Sequence, residues 1–550
     1  MTIALLAIAG GAAGDQYHID LTNYFANPQT EARSRAQLID AVRAFGSAAI
    51  PQTAAGLRAW LRRYDTLLAS SDRHDIYVYL RAEEDDRDIT DARADDTLGN
   101  LEDGLHARVA VAAKTLGSAK IYALTSRPPL LAYRYLLLSS LAVARHELTP
   151  AAAQAVETAV NPMFDSAAAS YKRLRASSDS FVSHQDAYAA LLIAIANGRN
   201  GVARLRGFPD AVDAAYFDRS LTPASVDRTL AAVARSDAYA RYRTAQRAAP
   251  SPVVSPSPMA VGEVIPSILA AEKRMGDEYA TAYAALLDQA QGRLELCNVP
   301  HCDVTGFSVG ASGSVSAEYY GGFDGSVNSA RALSHEAGHA VHRQFMNLHQ
   351  PIAAYNDGPH FMFESFAIFN ELLFLDHLYA TATEPKLKAY YLNAFLDDAT
   401  YQVFRSAAET ELEQAIYRGV AAGTIHDAAD LSRLSAATLT RYDPSAASDA
   451  NASLYWARNR LYYTDPLYDV NYLYAGLLAL RYFADFERSP DAFARRYVAL
   501  LKNGFDRPPA ELSKQFLGID LSDEPALVAG ATTLIDARSA TLAALYAGLH

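Results

Sequence analysis

The segment NDGPHFMFESFAIFNELLFLDHL (356–378) constrains the fold of this chain more than any other. Its spacing reads as a helix, with Asn356 or Asp357 placed to cap it and Pro359 tolerated in its first turn. Phe361, Met362, Phe363, Phe366, Ile368, Phe369, Leu372, Leu373 and Phe374 make it apolar nearly all round. Such a helix is stable only when other elements bury it on every side. Two carboxylates, Glu364 and Glu371, stand within it, seven residues apart and so on one face. A buried carboxylate is strongly destabilising unless it is paired or coordinates a metal.

The rest of the chain supplies the helices that such a core needs. Apolar positions recur at helical spacing in LRAWLRRYDTLLAS (57–70), AYRYLLLSSLAVARHEL (132–148) and ASVDRTLAAVARSDAYARYRTAQ (224–246). APSPVVSPSPMAVGEVIPS (249–267) is the most proline-rich stretch and reads as an extended connector, after which a long helix restarts over 268–289. Only 292–327 carries strand signals, in GRLELC, VTGFSVG and SVSAEYY. The sequence thus predicts a mainly α protein with one small sheet. An N-terminal helical domain is expected over 15–190 and a catalytic domain over 191–550.

Charge narrows the partners. With a net charge of −13, the chain lacks the basic face that nucleic acid or an anionic membrane surface requires. The acidic run AEEDDRDITDARADD (82–96) reads as a solvated face rather than a cation site. Residues 1–14 resemble the core and cleavage region of a signal segment without its basic leader. Elsewhere, no uncharged run of about 20 residues could span a bilayer. The two cysteines, Cys297 and Cys302, flank His301. They read as a small loop-closing disulfide or two free thiols, because a zinc site there would need further cysteines. The terminus and the cysteines favour a periplasmic or secreted protein, with a cytoplasmic one as the alternative.

LSHEAGHAVH (333–342) carries the chemistry. His335 and His339 lie one turn apart on one helical face and can aim at a single ion. Glu336, rotated about 100° from His335, is out of line as a ligand but can reach a metal-bound water. His342 shares the face, yet it stands a rise of roughly 10 Å beyond His335, too far for the same ion. It reads as a hydrogen-bonding neighbour of the cleft or as a core histidine. A third ligand must come from another element. Zinc would satisfy Glu364, and the N–H of a zinc-bound histidine would satisfy Glu371. Structural ion pairs for both glutamates, or His360 or His349 as the third ligand, are the alternatives.

These residues resemble the thimet oligopeptidase family of zinc metallopeptidases, nearest its oligoendopeptidase F branch. The family carries His-Glu-x-Gly-His-x-x-His, a glutamate ligand 25 residues beyond the second histidine, and another glutamate seven further on; HEAGHAVH, Glu364 and Glu371 match. SAEYYGGFDGSVNSARALSHE resembles the family's strand, loop and helix entry, and NGRNGVARLRGFPDA its Arg-x-x-Gly-aromatic stretch. The resemblance implies an elongated helical shell around a deep channel. It also implies one Zn²⁺ per chain on His335, His339 and Glu364, with Glu336 as general base, and short unfolded peptides as substrates; the sequence does not give the oligomeric state, and a monomer is the expectation.

In LYYTDPLYDVNYLYAGLLAL (461–480), Tyr468 and Tyr472 match the family's Tyr-Asp-x-x-Tyr pattern, which implies phenol donors to the tetrahedral intermediate. The chain departs from the family where a histidine normally precedes them, with Tyr462, Tyr463 and Thr464 there instead. The SVSAEYY strand is expected to offer an exposed edge to an extended peptide. A dipeptidyl carboxypeptidase of the angiotensin-converting-enzyme type and a peptide-binding shell with structural zinc are the competing readings.

Overall fold

The computed structural model describes residues 17–84, 89–176, 181–250, 255–297 and 304–549. The signal-like segment 1–14, Cys302, His301 and part of the acidic run lie outside the described residues. Helices dominate, as the apolar periodicity predicts. Helices α1 (Pro28–Gly46), α2 (Ala54–Glu84) and α3 (Ile89–Leu124) open the chain. Their inward residues, among them Leu57, Leu61, Tyr64, Leu98 and Leu105, form one hydrophobic core that also takes in Ala311, Ala317, Ile352 and Tyr355 from farther along. A second, larger core begins at Ala167 and holds nearly everything after it. The helix Gln185–Leu205 faces the larger core through Tyr188, Leu192 and Ile195.

Two expectations about helices are corrected. The proline-rich connector ends early, because helix α4 runs over Val261–Glu272 with Pro266 inside it, and the Glu263 carboxylate accepts from the Ala260 N–H at its start. The long helix expected after it breaks at Gly276, whose φ of 91° only glycine adopts readily, before a new helix, Asp277–Leu287. Residues 224–246, with their helical spacing, form two helices, Pro223–Ala234 and Ala238–Arg247.

The sheet has three strands, β1 (Leu294–Cys297), β2 (Gly306–Val309) and β3 (Ala317–Gly321), in the order β1-β3-β2. β1 runs parallel to β3 and β2 antiparallel to it. The SVSAEYY strand is thus the central one, paired on both sides, and offers no edge. The N-terminal segment covers the outer side of β1: the Leu296 N–H donates to the Tyr17 carbonyl at 3.2 Å and the Asp20 N–H to that of Gly292 at 2.9 Å. Among the described residues, no strand pairs with the outer side of β2, which is the open edge. Because the Gly321 N–H donates to the Thr305 carbonyl at 2.8 Å, antiparallel alternation turns the backbone groups of Gly306 and Ser308 away from β3, towards that edge. Cys297, at the end of β1, is disulfide-bonded.

Directly after the sheet come helix α5 (Val327–His349), capped by the Ser326 side chain, and helix α6 (His360–Thr381). α6 is buried almost throughout, as its composition demands: Phe361, Phe369, Leu372, Leu373 and Phe374 expose nothing. Its entry differs from expectation. Pro359 is the residue before the helix and no side chain caps it; Asn356 instead donates to Ser312 Oγ at 3.0 Å. Against α6 packs α8 (Asp469–Arg488), and against α8 in turn pack α7 (Ser406–Ala422) and α9 (Glu524–Ala547); the apolar residues of all three join the same core.

Candidate metal centre

α5 and α6 approach closely because Gly338, in the middle of the motif, has no side chain. A Cβ there would stand 2.7 Å from Asn370 Nδ2 and 3.1 Å from the Ala367 backbone. This approach brings α6 under the two histidines. His335 Nε2 lies 3.4 Å and His339 Nε2 3.7 Å from Glu364 Oε2, and the two imidazoles stand at 85° to each other. Among the described residues these three form the one cluster of histidine, cysteine or carboxylate side chains able to share an ion. Glu364 Oε2 is buried without a hydrogen-bond partner. Tetrahedral bonds of about 2.0–2.1 Å require ligand atoms roughly 3.4 Å apart, so the spacing fits zinc.

Electrostatics point the same way. Burial alone would deprotonate His335, but Glu371, Glu364 and Glu336 together hold its pKa well above the ordinary histidine range. Burial pushes the Glu364 carboxyl up, and the two histidines more than reverse that, so it stays ionised. The carboxylates therefore favour positive charge at this point. Glu336 is raised above the usual carboxylate range, chiefly by desolvation, which makes it a stronger base. It lies under β2, where a Cβ on Gly306 would stand 2.7 Å from Glu336 Oε1.

Glu371 accepts from His335 Nδ1 and fixes the imidazole with Nε2 towards Glu364. Sequence reasoning missed what holds Glu371 in turn: Arg331 bonds its other oxygen and reaches Asp398 at 2.9 Å. Arg331 stands four residues before His335 on the same face, a signal that was available; Asp398, on a distant helix, gave none. Glu318 on β3 was missed too. It is fully buried, neither carboxylate oxygen has a partner, and desolvation followed by the charge of Glu336 pushes its pKa well up, keeping it neutral beside Glu336.

His342 is not beside the centre. Its ring packs 4.2 Å from Phe366 and 4.9 Å from Phe363, and its Nδ1 finds no hydrogen-bond partner. It is a core histidine, kept neutral by desolvation, and the reading as a neighbour of the cleft is corrected. His349 bonds its own helix at the Phe345 carbonyl, one turn before. His360, one turn before Glu364, lies edge-on to Tyr468 at 5.8 Å. Tyr468 donates to Glu364 Oε1 at 3.0 Å, with Tyr472 at 5.3 Å between ring centres. The two tyrosines meet as the spacing predicts, but not on one continuous helix. The chain breaks between Leu461–Thr464 and α8, and Tyr468 is the N-cap residue directly before α8.

The fold and this cluster define a class: a helical body holding a His-Glu-x-x-His plus glutamate centre between two buried helices. Residues 323–531, which contain all of that centre, match the model of Peptidase family M3. The Oligoendopeptidase F homolog of Lactococcus lactis subsp. lactis (strain IL1403) is 29% identical over 191 residues, 34% of this chain and 31% of that protein. The homolog of Borreliella burgdorferi is 26% identical over 220 residues, 38% and 37% of the two chains. The matched part thus spans about a third of the length of these curated relatives. Among solved structures, a putative peptidase from Chlamydophila abortus superposes with a TM-score of 0.77 at 19% identity, covering 96% of this chain and 98% of that one. Oligoendopeptidase-F from Enterococcus faecium gives 0.62 at 18% identity, covering 94% and 99%. At these identities the structures establish the fold.

Proposed function

We propose that this chain is a zinc-dependent oligopeptidase that cleaves short unfolded peptides internally. The observation that carries the reading is the convergence of His335, His339 and Glu364 within 4.8 Å of one another, with Glu336 adjacent. The three would hold one Zn²⁺, which when bound supplies Lewis acidity to a water and to the scissile carbonyl. Glu336 takes a proton from the attacking water and delivers it to the leaving amine. Tyr468 and Tyr472 stay protonated at any working pH, since burial and the charge of Glu364 raise both phenols. They therefore remain hydrogen-bond donors, Tyr468 steadying Glu364 and Tyr472 meeting the developing oxyanion.

The peptide would lie along β2 rather than β3. The outward backbone groups of Gly306 and Ser308 offer it ladder hydrogen bonds, and Gly306 leaves room for Glu336 below. The disulfide at Cys297 supports a periplasmic or secreted location. Among the described residues no helix is long and apolar enough to cross a membrane.

The test compares wild type with Glu336→Gln on fluorescence-quenched peptides, with bound zinc measured on both. The variant is expected to keep zinc and lose at least about 100-fold in kcat. A variant that keeps zinc and cleaves at the wild-type rate rules out the general-base role. Cleavage of C-terminally amidated peptides at internal bonds separates an endopeptidase from a dipeptidyl carboxypeptidase, and a chain that binds zinc and peptide without cleavage is a binding shell.

A further inference from the structure

The tyrosine that touches the metal centre is held by a backbone that its own sequence disfavours. Tyr468 follows Leu467, one of two non-glycine residues with positive φ among the described residues, at 62°. An L-residue with a branched side chain is strained there, and glycine is the usual occupant. Glycine would not serve the core, because the Leu467 side chain is 5% exposed and belongs to the large apolar cluster. A compensating interaction is present. Glu413 on α7, 1% exposed, accepts a hydrogen bond from the Leu467 N–H at 2.7 Å.

Other contacts from α7 fasten the same stretch. The Tyr462 hydroxyl donates to the Glu409 carbonyl at 2.8 Å, and Tyr455 donates to the Glu409 side chain. Only the Glu413 bond acts on the residue directly before Tyr468, where one turn of backbone decides whether the phenol reaches Glu364. Burial first, and the charge of Asp469 second, push the Glu413 carboxyl well above the usual carboxylate range, so its carbonyl oxygen accepts from the N–H as a neutral group; at this depth leaving that N–H unpaired is costly.

We infer that Glu413 is a positioning residue of the catalytic centre, clamping Leu467 in its left-handed conformation so that Tyr468 is delivered to Glu364. The inference rests on the oligopeptidase reading above. It makes Glu413 act through Tyr468 alone, without touching substrate or metal.

The full-length, zinc-loaded chain is assayed as wild type, E413A, E413Q, Y468F and E413A/Y468F, with Tm and bound zinc measured on each. E413A is expected to lower kcat at least about tenfold while KM stays within about threefold. E413Q retains an amide oxygen for the Leu467 N–H and stays within about threefold of wild type. In the Y468F background, E413A is expected to change nothing further, since its only route is already cut. An unchanged kcat in E413A, or the same loss in both backgrounds, overturns the assignment.

Should E413A fail to fold, L467G and L467G/E413L carry the comparison, because glycine holds the positive φ unaided. Equal kcat in these two, with E413Q alone near wild type and E413L tenfold or more below it, supports the clamp. A kcat in L467G/E413L tenfold or more below that of L467G overturns it. An active E336Q overturns the metal-hydrolysis reading on a different variant, so the two failures are told apart.

Discussion

Glu371 shows how much of the centre depends on residues that never touch the metal position. One of its oxygens orients His335 and the other is bonded by Arg331, which also reaches Asp398. Removing the acceptor would free the imidazole to rotate and leave Arg331 with one partner fewer. Glu371→Gln is therefore expected to weaken zinc binding about 10–100-fold, measured by competition with a chelator, with the fold retained. Arg331→Ala should give a loss of the same order, since Glu371 then loses its anchor. If either variant binds zinc as tightly as wild type, the bonded chain from Asp398 to His335 does not govern affinity. The two glutamates were legible from sequence because a carboxylate inside an apolar helix calls for a partner. Asp398 was not, because its role exists only once the chain has folded back on α5. Glu318 was hidden for a related reason: in SVSAEYY it looks like the polar position of a half-buried strand, yet β3 is central and covered on both faces.

At the scale of elements, the geometry of the centre is set by one helix contact and one open strand edge. Gly338 is where α5 meets α6, and a methyl there meets the Asn370 amide and the Ala367 backbone. Backbone cannot yield as a flexible side chain can, so Gly338→Ala should push the helices apart. The expected result is a Tm lower by several degrees, corresponding to about 1–3 kcal/mol of overpacking, together with weaker zinc binding. A variant with wild-type Tm and affinity would show that the approach is not tight in solution. The edge strand gives a second prediction. If the peptide pairs with β2, methylating the peptide amides that would bond Gly306 and Ser308 should raise KM by about tenfold and leave kcat nearly unchanged. Equal KM for methylated and unmethylated peptides would place the substrate elsewhere. Strand existence was readable from β-branched runs between glycines, but strand order was not. Only the parallel pairing of β1 with β3, which depends on the whole crossover between them, moves SVSAEYY from edge to centre. Likewise the break before α8 is not legible, because Leu467 carries no sign of its positive φ; the carboxyl group that stabilises it lies 54 residues earlier.

Over the whole molecule, the cleft that α2 and α3 line with β2 and α5 carries more negative charge than its burial suits. A cavity of about 470 Å³ lies there, with Asp72, Asp75 and Glu102 on the N-terminal side and Ser308, Arg343 and Asp357 on the other. Desolvation first, and the charge of Glu102 second, push Asp75 up to about 8 and Asp72 well above the carboxylate range. Arg343 on the facing side is itself lowered by burial and does not offset them fully. The sign of the pH dependence follows. In the unfolded chain Asp75 titrates near its ordinary value of 3.8, and in the folded chain near 8. The stability this proton contributes is full below about pH 4 and is lost as pH rises towards 8. Asp75→Asn keeps the neutral shape without the proton, so it should raise Tm at pH 8 and leave it unchanged at pH 3.5. Hydrogen exchange in wild type should show the helices around Leu98 and Leu105 opening more readily as pH rises from 5 to 8, while α6, in the other core, stays protected. Equal Tm gains at both pH values would mean that Asp75 acts by packing and not by charge. Loss of protection in α6 together with α3 would mean that the two cores unfold as one unit.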